Sequence, residues 1–188
     1  MFTLLELDVY KYYKHKIYNC LLYTLIMRYI LDACVIIYLI KANLTKEFIN
    51  LCDNDMVIDK EVYNEVVEQG KENNYPDAII AENFLISNKI PIIPTDIKKF
   101  IHLFRDAGET SCFILAQDNG TCITTDKRAF NKFLSQSVPV VRLDTFFYKR
   151  CLNKKYSKNI IISFLDKLLG VYATNSERYA TFIKLLSQ

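Results

Sequence analysis

Short apolar runs that alternate with amphipathic stretches predict an α/β protein built on a central, mostly parallel sheet. Three observations support this. Residues 29–31, 56–58, 122–124 and 138–141 are short runs with almost no polar alternation, as expected of strands covered on both faces. Helical spacing of apolar residues fills the intervals at 33–39, 60–69, 77–87, 109–117 and 128–134. Punctuation falls where those helices should begin and end. Asp59 stands at an N-cap position, Pro76 near a helix start, and Asn119-Gly120 just past a helix end.

Taken in order, residues 1–26 are rich in Tyr and Leu, with lysines mixed in, and carry no recognisable chemistry. They read as an N-terminal extension, either a helix packed through Leu21, Leu22, Leu25 and Ile26 or an over-extended start ahead of Met27. The α/β pattern occupies 27–148. Residues 149–188 form a C-terminal extension, basic at first and then helical, with Ile160, Ile161, Phe164, Leu165, Leu168 and Leu169 on one face.

With 188 residues, the chain can bury one sizeable core. Hydrophobic residues at 51% and charged residues at 24% suit a globular protein. A net charge of +3 is a weak pointer to a polyanionic partner. The six cysteines show neither C-x-x-C nor zinc-type spacing, so free thiols in a reducing compartment are expected. His15 and His102 are the only histidines, too few for a zinc hydrolase or a histidine-based triad. Arg28 and Asp32 interrupt the apolar stretch over 20–40, which argues against a membrane span. The run 17–27 lacks a small-residue cleavage site, so a cytoplasmic protein without membrane association is expected.

In open parallel sheets, ligands bind at the carboxyl ends of the strands. Asp32 directly follows the first strand, and Asp126 lies two residues beyond the third. Glu65, one to two turns into its helix, and Glu109, at a helix start, can join them. Clustered carboxylates suit Mg²⁺ or Mn²⁺, hard cations that take oxygen ligands and can activate water for attack on phosphorus without any histidine.

The ordered segments Y-I-L-D-A-C (29–34), V-I-D-K-E-V-Y-N-E-V (57–66), G-E-T-S-C-F-I-L-A (108–116), I-T-T-D-K-R-A (123–129) and V-P-V-V (138–141) together resemble the PIN domain family. That resemblance implies a Rossmann-like three-layer sandwich and a metal-dependent endoribonuclease of the kind found among VapC-type toxins and rRNA-processing enzymes. It places the family's acidic metal ligands and catalytic residues on Asp32, Glu65, Glu109 and Asp126. It implies Mg²⁺ or Mn²⁺ as cofactor, RNA as substrate, and a small antitoxin protein or a second copy as possible partners. The sequence departs from the family twice. Cys34 stands where Ser or Thr is usual, and Lys127 where many members have a second Asp. Both departures favour the alternative of a non-catalytic PIN-like module that binds RNA or protein.

Thr124, Thr125, Lys127 and Arg128 are candidates for holding substrate phosphates, with Lys132 beside them. Asp106 competes with Glu109 for its role. The run Lys149, Arg150, Lys154, Lys155 and Lys158 is either a second nucleic-acid contact or a solvated linker, and Tyr148 and Tyr156 are candidates for stacking on bases.

Overall fold

The computed structural model describes residues 28–53, 55–104 and 106–188. The expectation for residues 1–26 lies outside that range. Among the described residues, β1 (Tyr29–Leu31), β2 (Met56–Asp59), β3 (Ile92–Ile93), β4 (Thr121–Thr124) and β5 (Val140–Arg142) form one sheet in the order β3-β2-β1-β4-β5. Every pairing is parallel. The α/β class read from the sequence is the observed one. Every residue of β1 and β4 is buried, which is why these strands show no alternation.

Helices α1 (Ala33–Lys41) and α2 (Thr45–Leu51) connect β1 to β2. Beyond β2, helix α3 (Lys60–Tyr63) passes through a π-helical turn (Asn64–Gln69) into α4 (Gly70–Glu72), and α5 (Pro76–Ser87) leads on to β3. Next come α6 (Ala107–Asn119), β4, α7 (Lys127–Ser135) and β5, followed by α8 (Leu143–Asn153), α9 (Lys158–Gly170) and α10 (Ser176–Ser187). Asp59 caps α3 by accepting from the Glu61 amide at 2.7 Å, as its position predicts. Gly120 joins α6 to β4 where the chain has no room for a side chain. A Cβ there would run into the Ile30 side chain and come within 2.8 Å of the Arg28 carbonyl.

Aromatic residues supply much of the packing. Phe113 meets Phe104 and Phe133 at 5.3 and 5.4 Å between α6 and α7. Phe146 meets Phe48 at 4.9 Å and Tyr29 at 5.3 Å. Both contacts are within the range where aromatic pairs add to plain burial.

Several sequence expectations are corrected here. The sequence reading missed the edge strand β3 and the helix α2. The last strand is Val140–Arg142, not 138–141. The basic run from Lys149 is no linker, because α8 runs through position 148 to Asn153. Arg150 and Lys154 of that run are paired with Asp53. Tyr148 packs on Phe182, and the Tyr156 ring lies 6.4 Å from that of Phe164. The described cysteines are all free, as expected. No helix among the described residues is long and apolar enough to cross a membrane.

The C-terminal helices are fastened to the sheet domain by a buried ion pair. Arg178 on α10 donates from Nε to Asp144 Oδ2 at 2.7 Å and from Nη2 to Oδ1 at 2.6 Å. Thr174 adds a 2.6 Å bond to Oδ2. Burial alone would push the Asp144 carboxyl up. The bonds from Arg178 and Thr174, with the charges of Arg178 and Arg142, instead hold it below its ordinary range.

Candidate active site

Parallel strand order brings the ends of β1 and β4 together, since Leu31 pairs with Ile123. Asp32 leaves the end of β1 and is only 7% exposed. Thr124, the last residue of β4, is buried and donates its hydroxyl to Asp32 Oδ2 at 2.7 Å. Cys34, two residues on in the first turn of α1, donates its thiol to the same oxygen at 2.9 Å. The cysteine thus supplies the hydrogen bond that a hydroxyl would give. The thiol also accepts from the Thr125 amide at 3.3 Å. Burial pushes the Asp32 carboxyl up, and the bonds from Cys34, Thr124 and the Ala33 amide only partly offset that.

Asp126 is tied to this pair. Its amide donates to Thr124 Oγ1 at 3.0 Å, and its Oδ1 caps α7 by accepting from the Ala129 amide at 2.7 Å. Asp106 caps α6 in the same way, through the Glu109 amide at 2.9 Å. Glu109 follows in the first turn of α6. Glu65 arrives from the π-helical turn, a distortion found often at functional sites. A Cβ at Gly108 would touch Asp106 Oδ1 at 3.1 Å and Glu65 Oε2 at 3.2 Å. Those two carboxylate oxygens are therefore no farther apart than the two contacts laid end to end, and they meet over the smallest possible residue.

Mutual repulsion marks the cluster. Glu65 is pushed up to about 7, first by desolvation and then by the charges of Asp106, Asp32 and Glu109. Glu109 is likewise pushed up to about 7, by desolvation and by Asp32, Asp126 and Asp106, with Lys132 working the other way. An open cleft of about 590 Å³ lies beside these acids, lined by Phe104, Asp106, Glu109, Asp126, Arg128 and Lys132 among others. Lys132 sits over the Phe104 ring at 4.8 Å.

The four acids singled out in the sequence thus converge on one rim, with Asp106 as a fifth. The weaker substrate-contact candidates separate. Arg128 lines the cleft and Lys127 does not. Thr124 spends its hydroxyl on Asp32 and the Asp126 amide, so it braces the carboxylates instead of facing a substrate. Thr125 is half-buried beside Cys34. Asp59 at the end of β2 is fully buried, and its Oδ2 has no hydrogen-bond partner among the described residues.

The family model described as a PIN domain (DUF3368) matches residues 28–137, more than half of the chain. The chain belongs to the PIN domain family. PIN domains are generally nucleases, and all five acids of the rim lie inside the matched stretch. A solved structure described as a domain of a functionally unknown protein from Methanocaldococcus jannaschii DSM 2661 is similar at 20% identity. The match covers 62% of this chain and 91% of that one, with a TM-score of 0.43. No curated protein matches the chain.

The carboxylates of the PIN rim offer oxygen donors, a set that fits a hard divalent cation, and the Cys34 thiol beside them is spent on Asp32. Among the described residues, no three His, Cys, Asp or Glu side chains form a ready-made metal cage. The hydrogen bonds account for this spacing. Asp32 leans toward Thr124 and Cys34, while Asp106 and Asp126 each give one oxygen to a helix N-terminus.

Proposed function

We propose that this PIN domain is a metal-dependent endoribonuclease that hydrolyses RNA phosphodiester bonds at the rim formed by Asp32, Glu65, Glu109 and Asp126. The observation that carries the reading is the placing of Asp32 and Asp126 at the carboxyl ends of β1 and β4 with one brace, Thr124, shared between them. Glu65 and Glu109, pushed up to about 7 first by desolvation and then by neighbouring carboxylates, accord with it. Asp32 is the fixed member, held by Thr124 and Cys34, and would be the first ligand to a metal. Glu109 and Asp126 would complete its oxygen shell, with Glu65 and Asp106 at the outer edge. A bound Mg²⁺ or Mn²⁺ supplies an activated water and neutralises charge building on phosphorus. Arg128 and Lys132 line the cleft and would hold the RNA backbone on approach.

The test is cleavage of a labelled single-stranded RNA in Mn²⁺, compared with EDTA, by the wild-type chain and by Asp32→Asn and Asp126→Asn. Cleavage should need metal and fall at least about a hundredfold in each variant. A second reading, a non-catalytic PIN module that binds RNA or protein, is favoured by Lys127 standing beside Asp126. RNA binding without cleavage by the folded wild-type chain in Mn²⁺ would select it.

A further inference from the structure

Arg142 is the last residue of β5 and pairs in register with Thr124 on β4. Residues in register on parallel strands send their side chains to the same face, so Arg142 leaves the sheet on the face where Thr124 reaches Asp32. Its guanidinium is half-buried, and the buried Nε has no hydrogen-bond partner among the described residues. An unfilled arginine donor inside a protein is costly, because the fork carries five N–H groups and a fixed charge.

The acid closest in sequence cannot fill it. Asp144 already accepts from Arg178 Nε and Nη2, the Thr174 hydroxyl, and the Thr145 amide and hydroxyl. Those five donors exceed the roughly four lone-pair sites of a carboxylate. Arg178 therefore neutralises Asp144 and adds repulsion of its own. Burial weighs most on the Arg142 charge, Asp144 and Arg178 act on it in opposite senses, and Cys34 and Asp126 at the acidic rim act after them. Among the described residues the buried Nε of Arg142 is therefore left without an acceptor, on the sheet face that leads to the rim.

A rim of five acids repels a polyanion, so a fixed cation at its edge is what an incoming phosphate requires. We infer that Arg142 is a substrate-binding residue, its fork taking the non-bridging oxygens of an RNA phosphodiester beside the carboxylate centre. The inference rests on the nuclease reading for its choice of substrate. An Arg fork matches phosphate in a bidentate manner that a lysine cannot copy.

The experiment is binding of a labelled single-stranded RNA oligonucleotide to the full chain in EDTA, over about 50–200 mM salt. Wild type, Arg142→Gln and Arg142→Lys are compared, with a DNA of the same sequence as a second probe and a thermal melt of each protein. Arg142→Gln should bind about tenfold more weakly at low salt, with a log–log salt slope shallower by about 0.7, the loss of one phosphate contact to a single strand. Arg142→Lys should keep the slope and lose part of the affinity. Should Arg142→Gln not fold, Arg142→Lys decides alone, since wild-type affinity in that variant contradicts a bidentate contact. Superimposable curves for Arg142→Gln and wild type would overturn the inference. So would a loss confined to RNA and absent on DNA, or a wild-type chain that binds RNA without salt dependence. Cleavage of the same RNA in Mn²⁺ is scored separately. Arg142-dependent binding without any cleavage would sink the nuclease reading and leave the phosphate contact standing.

Discussion

The Thr124 hydroxyl donates to Asp32 Oδ2 over 2.7 Å and so ties the end of β4 to the first acid of the PIN rim. Thr124 Oγ1 in turn accepts from the Asp126 amide, which makes one threonine the shared support of two carboxylates. Thr124→Val keeps the shape and removes both bonds. It should cost about 1–3 kcal/mol, the range for unsatisfied buried groups, in a urea melt. Asp32, with one fewer donor, should rise further in pKa and bind Mn²⁺ more weakly at neutral pH. A variant matching the wild type in both readouts would show that the bond is incidental.

Stability should depend on pH in a direction fixed by Glu65 and Glu109. Both stand at about 7 in the folded chain against an ordinary value of 4.5. A folded state that binds protons more tightly than the unfolded state is favoured by protonation. The metal-free protein therefore carries its full carboxylate penalty above about pH 7 and sheds it as pH falls toward about 4.5. Its melting temperature in EDTA should be higher at pH 5.5 than at pH 8, and Mg²⁺ should close the gap mainly at pH 8. A melting temperature that drops steadily between pH 8 and pH 6 would contradict this.

Gly108→Ala probes the site without opening the core. The added methyl would stand 3.2 Å from Glu65 Oε2, the far end of a flexible side chain, and 3.1 Å from Asp106 Oδ1, the oxygen that caps α6. In a thermal melt, stability should fall by no more than a weakened cap costs, about 0.5–2 kcal/mol. Cleavage should fall by about 10- to 100-fold, because small displacements of catalytic groups are expensive. Unchanged kcat/KM would place Glu65 and Asp106 outside the working site.

Arg178→Ala addresses the C-terminal helices. It strands the fully buried Asp144 carboxylate, and breaking one side of a buried pair costs about 3–5 kcal/mol. Because the folded pKa of Asp144 is depressed, its contribution is present above its unfolded pKa and is lost as pH falls through the folded one. Urea melts at pH 7 should therefore show a large loss for Arg178→Ala and almost none for Lys158→Ala, an exposed position. Equal losses would mean that α10 adds little to the fold.

The parts that were legible in the sequence were those whose side chains carry a repeating signal. The apolar runs of β1, β2 and β4 are buried on both faces, and the acids that follow β1 and β4 sit at the rim by topology alone. Strand β3 was hidden because Ile92–Ile93 is two residues long, between Pro91 and Pro94. Prolines there read as a loop, yet an edge strand tolerates them, and the Pro91 carbonyl still accepts from the Ile58 amide. Helix α2 is seven residues with two buried apolar positions, too short to show a period. Ending the last strand at Val141 left Arg142 outside the pattern, although register places it beside Thr124. The Asp144–Arg178 pair spans 34 positions, a distance at which no local pattern operates.

The most direct test is calorimetric titration of Mn²⁺ into metal-free protein, comparing the wild type with Asp32→Asn at pH 7.5. A carboxylate centre anchored on Asp32 predicts saturable binding by the wild type and at least about tenfold weaker binding by the variant, with both proteins folded. Equal Mn²⁺ affinity in the two proteins, or no binding by the folded wild type, would contradict a metal centre at this rim.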